Sequence, residues 1–160
     1  MRLDPERTAE RLEPWRAIAQ SACEQCGRNR FPVIEALSTI DHWLVAMKDK
    51  PSLKLMLSPV HATMFSTLPK PDAGAPITRL IGPEAGLSDA EEVLAQRAGF
   101  TPVLLGPRVM RTETAALAAL AAIHARWGDS SGRLPTACYS SSIMFLHVEP
   151  ASWKAFPSAS

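Results

Sequence analysis

The chain has 160 residues, 46% of them hydrophobic, which suffices for one domain with a real core and not for two ordinary ones. Seventeen basic and sixteen acidic side chains leave a formal charge of +1, which excludes a global basic field for non-specific nucleic-acid binding, so any RNA has to be held by a local patch. The N-terminus is charged from its second residue and unlike a signal peptide, and the longest apolar run, around Ala115 to Ile123, is too short and alanine-rich to span a bilayer. A soluble, cytoplasmic protein is the expectation.

Asp4-Pro5 opens the first element as an N-cap candidate with proline at the first helical position. Leu12, Trp15, Ile18, Ala19, Ala22 and Cys26 follow at helical spacing and Gly27 supplies a stop, so an amphipathic helix is expected over 5–26. Cys23 and Cys26 form a CxxC inside that pattern, and Cys138 is the only other thiol. Zinc would lack ligands, so no metal site and no disulfide framework are expected. His42, His61, His124 and His147 have no partners at ligand spacing and read as surface or packing residues, while Trp15 and Trp43 read as core.

The polar turn "GRNRFP" leads through an extended piece at Val33 and Ile34 to a helix from about Ser38 to Met47. "LKLMLSP" reads as a buried strand and "FSTLPKPDAGAP" as a proline-rich loop. "ITRLIG" is the next strand, ending in Gly82-Pro83. Ser88 and Glu91 make a capping box for a helix that Gly99 ends. "TPVLLG" is a further strand, and Glu113 to Arg126 a further helix. Strands alternating with helices argue an α/β domain with a largely parallel sheet. Beyond Asp129 the chain turns serine- and proline-rich, with one apolar run at Ile143 to Val148, and reads as a poorly ordered tail or a loosely docked strand.

Two loops, "IGPEAGLS" and "LLGPRVMRTETA", each follow a buried strand. Ligands of parallel sheets bind in the crevice at the strands' C-terminal ends, so these loops are expected to be neighbours. Their glycines let the main chain approach a flat ligand such as an adenine edge. Neither loop matches GxGxxG or a Walker A motif, and the absence of a triphosphate lysine argues against nucleotide hydrolysis. The second loop carries more polar chemistry than a turn requires. Taken alone, Glu113 is also explained by the dipole of a helix N-terminus and Arg111 by solvation.

Together the two loops resemble the cofactor-binding end of the RsmE-type 16S ribosomal RNA (uracil-N3)-methyltransferases of the SPOUT superfamily, and "ACEQCGRNRFP" resembles that family's arginine-bearing segment. The resemblance implies a SPOUT-type α/β knot, in which a deep C-terminal trefoil threading breaks the usual unknotted rule. It implies S-adenosyl-L-methionine as cofactor, a homodimer, and 16S ribosomal RNA or the small ribosomal subunit as partner. Leu80, Gly82, Glu84 and Gly86 would line the cofactor from the first loop, and Leu105, Gly106, Arg108, Met110, Arg111, Thr112, Glu113 and Thr114 from the second. As catalytic residues, Arg111 would stabilise the uracil anion or hold phosphate, and Glu113 would orient Arg111 or accept a proton. Arg28 and Arg30 would grip RNA phosphate; the bland alternative is an exposed turn with two charges.

The chain also departs from the family pattern. Met1 falls just after the family's PUA-like RNA-binding domain and the first strand and helix of its methyltransferase domain, so the chain reads as a methyltransferase domain over 1–129 lacking those parts. Residues 130–160 are an unmatched tail or a replacement strand for the missing edge. Ala85 stands where the family has a second glycine, and a positive φ there would cost on the order of 1 kcal/mol. Two alternatives to an active uracil-N3 enzyme stand beside it: a non-catalytic remnant for dimerisation or cofactor binding, and a SPOUT enzyme with another RNA target.

Overall fold

The computed structural model describes residues 5–27, 31–72, 74–128 and 141–145, with 5–11 and 141–145 as backbone alone. The chain divides into two compact units, one up to Trp43 and one from Leu44 onward. In the first, helix α1 runs Pro5–Gln25, with Pro14 removing one bond from its ladder. Leu12 and Cys23 are buried, and because eleven residues make nearly whole turns they share a stripe. Trp15 and Ile18 fall to one side of that stripe and are 38% and 67% exposed, so Trp15 is not the core residue expected. Cys26 is exposed and donates its thiol to the Cys23 carbonyl at 3.6 Å; neither cysteine is in a disulfide. Helix α2, Ile40–Lys48, begins slightly later than expected and buries Ile40 and Leu44, one turn apart.

The second unit contains β1 (Leu53–Leu57), β2 (Thr63–Met64), a 3-10 turn at Phe65–Thr67, β3 (Ile77–Ile81), α3 (Asp89–Arg97), β4 (Thr101–Leu104), α4 (Thr112–Trp127) and β5 (Ser141–Phe145). The sheet order is β2-β4-β1-β3-β5, and every pairing is parallel. The expected parallel α/β sheet is therefore present. β5 pairs with β3 from Ile77↔Ser141 to Ile81↔Phe145, which realises the docked-strand reading for those residues, past position 129.

All five residues of β3 are buried, as in a strand covered on both faces. On one face Leu55, Ile77 and Val103 pack with Phe65, Ile123 and Trp127. The Phe65 and Trp127 rings lie 4.8 Å apart at 55°, a tilted contact worth about 0.5–1.5 kcal/mol beyond its area. α4 lies on this core through Ala116, Ala119, Ile123 and Trp127, all buried, the alanines allowing close approach.

Lys54 alternates with Leu55 and so belongs to the other face. It is 7% exposed, and its Nζ donates to the Lys48 carbonyl at 2.7 Å and the Ala98 carbonyl at 3.1 Å. These carbonyls terminate α2 and α3, so the cation sits where two helix dipoles are negative. α3 has the expected boundaries. The Ser88 hydroxyl accepts from the Glu91 amide at 3.3 Å, and the Glu91 carboxylate accepts from the Ser88 amide at 2.8 Å. At its end Gly99 N–H donates to the Gln96 carbonyl and Phe100 N–H to the Ala95 carbonyl, a Schellman stop.

β3 lies on one side of β1 and β4 on the other, so the chain passes across β1 between them by way of α3. The C-terminal ends of β3, β1 and β4 thus open side by side, which is where such a sheet binds ligands.

Candidate functional site

The first loop leaves β3 at Gly82. A β-turn follows, closed by the Gly86 N–H donating to the Pro83 carbonyl at 2.8 Å. Gly86 has φ +79, a conformation that side chains with a Cβ disfavour. Ala85, at the centre of the turn, is outside that region; among the described residues His61 is the only non-glycine inside it. The strain anticipated for Ala85 is therefore absent, because positive φ falls one residue later. Gly82 answers a different constraint: a Cβ there would lie 3.1 Å from Leu87 Cγ and 3.1 Å from its amide nitrogen.

The second loop leaves β4 through half-buried Leu105 and Gly106 and exposes Pro107, Arg108 and Val109. Arg111 then caps α4 with extended backbone (φ −61°, ψ 150°) and no capping bond from its side chain. The Thr112 hydroxyl donates to the Gly82 carbonyl at 3.1 Å. That bond makes the two loops neighbours, as their positions after parallel strands imply. A Cβ placed on Gly86 or Gly106 would meet nothing within 4 Å, so at both positions the main chain is approachable.

The remaining sequence-derived positions fall in three environments. Glu84, Arg108, Arg111, Glu113 and Thr114 are exposed, Met110 and Thr112 are half-buried, and Leu80 is fully enclosed, its side chain shut away from the crevice. Among the described residues no ion pair joins Arg111 to Glu113. Glu113 stands in the first turn of α4, where the helix dipole favours a carboxylate. Arg28 and Arg30 lie outside the described residues.

A third loop, Ser58 to Ala62 at the end of β1, escaped the sequence reading. Since β1 lies between β3 and β4, this loop emerges between the two glycine loops. Ser58 is 4% exposed; its hydroxyl donates to Glu92 Oε1 at 2.6 Å and accepts from the Val60 amide at 3.0 Å, tying the loop to α3. The Ser-Pro step after "LKLML" was a local signal of a strand end. Nothing local indicated which strands flank it. Among the described residues no three His, Cys, Asp or Glu side chains gather as for a metal, and no helix is long and apolar enough to cross a membrane.

A family model for the RNA methyltransferase domain matches residues 2–124, which include both glycine loops. The chain belongs to the RNA methyltransferase domain family. Ribosomal RNA small subunit methyltransferase E of Buchnera aphidicola subsp. Schizaphis graminum is 37% identical over 117 residues, covering 73% of this chain and 46% of that protein. The Bacillus subtilis protein of the same name is 36% identical over 132 residues, covering 77% and 50%. The crystal structure of a ribosomal RNA small subunit methyltransferase E from Neisseria gonorrhoeae, bound to S-adenosyl methionine, is similar with a TM-score of 0.71 at 40% identity, covering 78% of this chain and 51% of that one. The RsmE-type resemblance thus agrees with these relatives, and the chain spans about half the length of each.

Proposed function

We propose that this RNA methyltransferase domain binds S-adenosylmethionine between its glycine loops and serves methylation of uridine N3 in 16S ribosomal RNA. The observation that carries this reading is the Thr112–Gly82 bond, which joins the two loops inside the region matched by the family model. The open main chain at Gly86 and Gly106 fits a flat adenine that approaches closely. Gly82, Glu84, Leu105, Arg108, Met110 and Thr112 to Thr114 complete the lining, with Leu80 contributing through its main chain.

When bound, the cofactor supplies an electrophilic methyl group on a sulfonium. The protein's share is to hold the attacking nitrogen in line and to favour loss of the N3 proton. Arg111, exposed at the start of α4, places positive charge beside the developing uracil anion, and the positive end of the helix dipole adds to it. Glu113 is suited to accept the proton. Since it does not pair with Arg111, it keeps its acceptor capacity for substrate.

In this reading the domain is a knotted, cytoplasmic homodimer. Support for a dimer comes from apolar side chains left on the surface around α4, Val109 at 83% and Leu117 at 69% exposed. Arg28 and Arg30 contribute phosphate contacts. The alternative reading is a cofactor-binding or dimerisation module that does not itself transfer methyl groups to RNA. Incubation of the folded chain with methyl-labelled cofactor and unmethylated small-subunit particles, followed by mapping of the modified base, tests the proposal. Label at uridine N3 supports it, label at another base points to a different RNA target, and cofactor binding without transfer favours the module.

A further inference from the structure

In the first compact unit an open groove of about 310 Å³ lies between α1 and the segment 31–34. α1 lines it with Arg16, Ala19 and Gln20, which share a face because they stand three and four positions apart. The segment lines it with apolar side chains, among them Phe31 and Val33, which are 59% and 82% exposed. The groove thus has the size of a small-ligand site and an aromatic ring left in water at its wall.

The polar groups of the groove retain capacity for a ligand. Gln20 Nε2 donates to Glu24 Oε1 at 3.0 Å, which leaves the Gln20 carbonyl oxygen to accept from another donor. Arg16 Nη1 donates to Glu13 Oε1 at 2.7 Å, and the guanidinium has further N–H groups to give. An aromatic face, an amide acceptor and a cation answer the three parts of an unpaired nucleotide: its base face, an N–H on its base edge and its phosphate. The charge of the local sequence agrees, since residues 25–34 include Arg28 and Arg30 and no acidic side chain. All of these residues fall within the region matched by the RNA methyltransferase family model. We propose that this groove is a subsite for one unpaired base of the RNA substrate. The base stacks on Phe31, donates an edge N–H to Gln20, and carries its adjoining phosphate to Arg16. Every base has an N–H or NH₂ on its edge, so the subsite grips a nucleotide beside the target without selecting its identity. The inference rests on the RNA reading above for its substrate class, and on neither the cofactor site nor methyl transfer.

Equilibrium binding of fluorescein-labelled single-stranded oligouridine to the full chain at low ionic strength tests it, with an abasic strand of the same length as the phosphate-only control. Oligouridine should bind more tightly than the abasic strand. Phe31→Ala should weaken oligouridine binding roughly 5- to 10-fold while leaving the abasic strand unaffected, and Phe31→Tyr should retain it. Arg16→Gln should weaken both strands and reduce the salt slope by about one. Phe31 is mostly exposed, so its variants should keep the native circular dichroism. Equal affinity for the two strands overturns the proposal without recourse to any variant, as does oligouridine affinity unchanged in Phe31→Ala. Loss of self-association in Phe31→Ala with RNA affinity unchanged would give the groove to a second copy of the chain instead. Neither cofactor nor transfer enters these measurements, so failure here is distinguishable from failure of the methyltransferase reading.

Discussion

The Thr112 hydroxyl donates to the Gly82 carbonyl at 3.1 Å and so ties the first turn of α4 to the end of β3 across thirty residues of sequence. A neutral bond of this kind contributes about 0.5–1.5 kcal/mol. Thr112→Val should therefore weaken S-adenosylhomocysteine binding roughly 2- to 10-fold by calorimetry, and Thr112→Ser should retain it.

Gly86 and Ala85 are expected to lose stability for different reasons when each takes its neighbour's residue type. Gly86→Ala forces a Cβ into φ +79 and should lower unfolding free energy by about 1–2 kcal/mol in urea titrations. Ala85→Gly relieves no strain, and should leave cofactor affinity nearly unchanged while costing roughly 0.4–1 kcal/mol through a looser unfolded chain.

Lys54→Met keeps the aliphatic stem and removes the donor that serves the last carbonyls of α2 and α3. Stability should fall by about 1–3 kcal/mol, read as a lower denaturation midpoint with the fold retained. Lys54→Arg should recover only part of it, because the fork does not reproduce a point donor between two carbonyls.

Glu113→Gln and Arg111→Ala separate proton transfer from charge stabilisation. Both residues are exposed and unpaired with each other, so neither change should shift the melting temperature much. Glu113→Gln should lower kcat by about 10²-fold with cofactor affinity retained. Arg111→Ala should weaken cofactor binding as well as turnover.

What could be read in advance was local. The Ser88–Glu91 box and the stop at Gly99 depend only on residues a few positions apart, and α3 matches its expectation. Trp15 was misread because an apolar stripe on a helix does not say which of its edges is covered; Leu12 and Cys23 hold that place. Whether Ala85 has positive φ was left open by the sequence, because the residue needing it depends on which carbonyl closes the turn. β2, two residues long, carries no periodicity to detect. The role of Ser58 and its bond to Glu92 followed only from the sheet order, which sets β1 between strands distant in sequence. Arg79 and Lys54 were visible as charges inside apolar strands, but only packing shows one satisfied and the other not.

The measurement closest to the central claim is a calorimetric titration of the folded chain with S-adenosylhomocysteine, with Arg111→Ala alongside. Saturable binding near one site per chain, weakened in the variant, is the expected result. A folded chain that gives no saturable heat would contradict the assignment of the two glycine loops as a cofactor site.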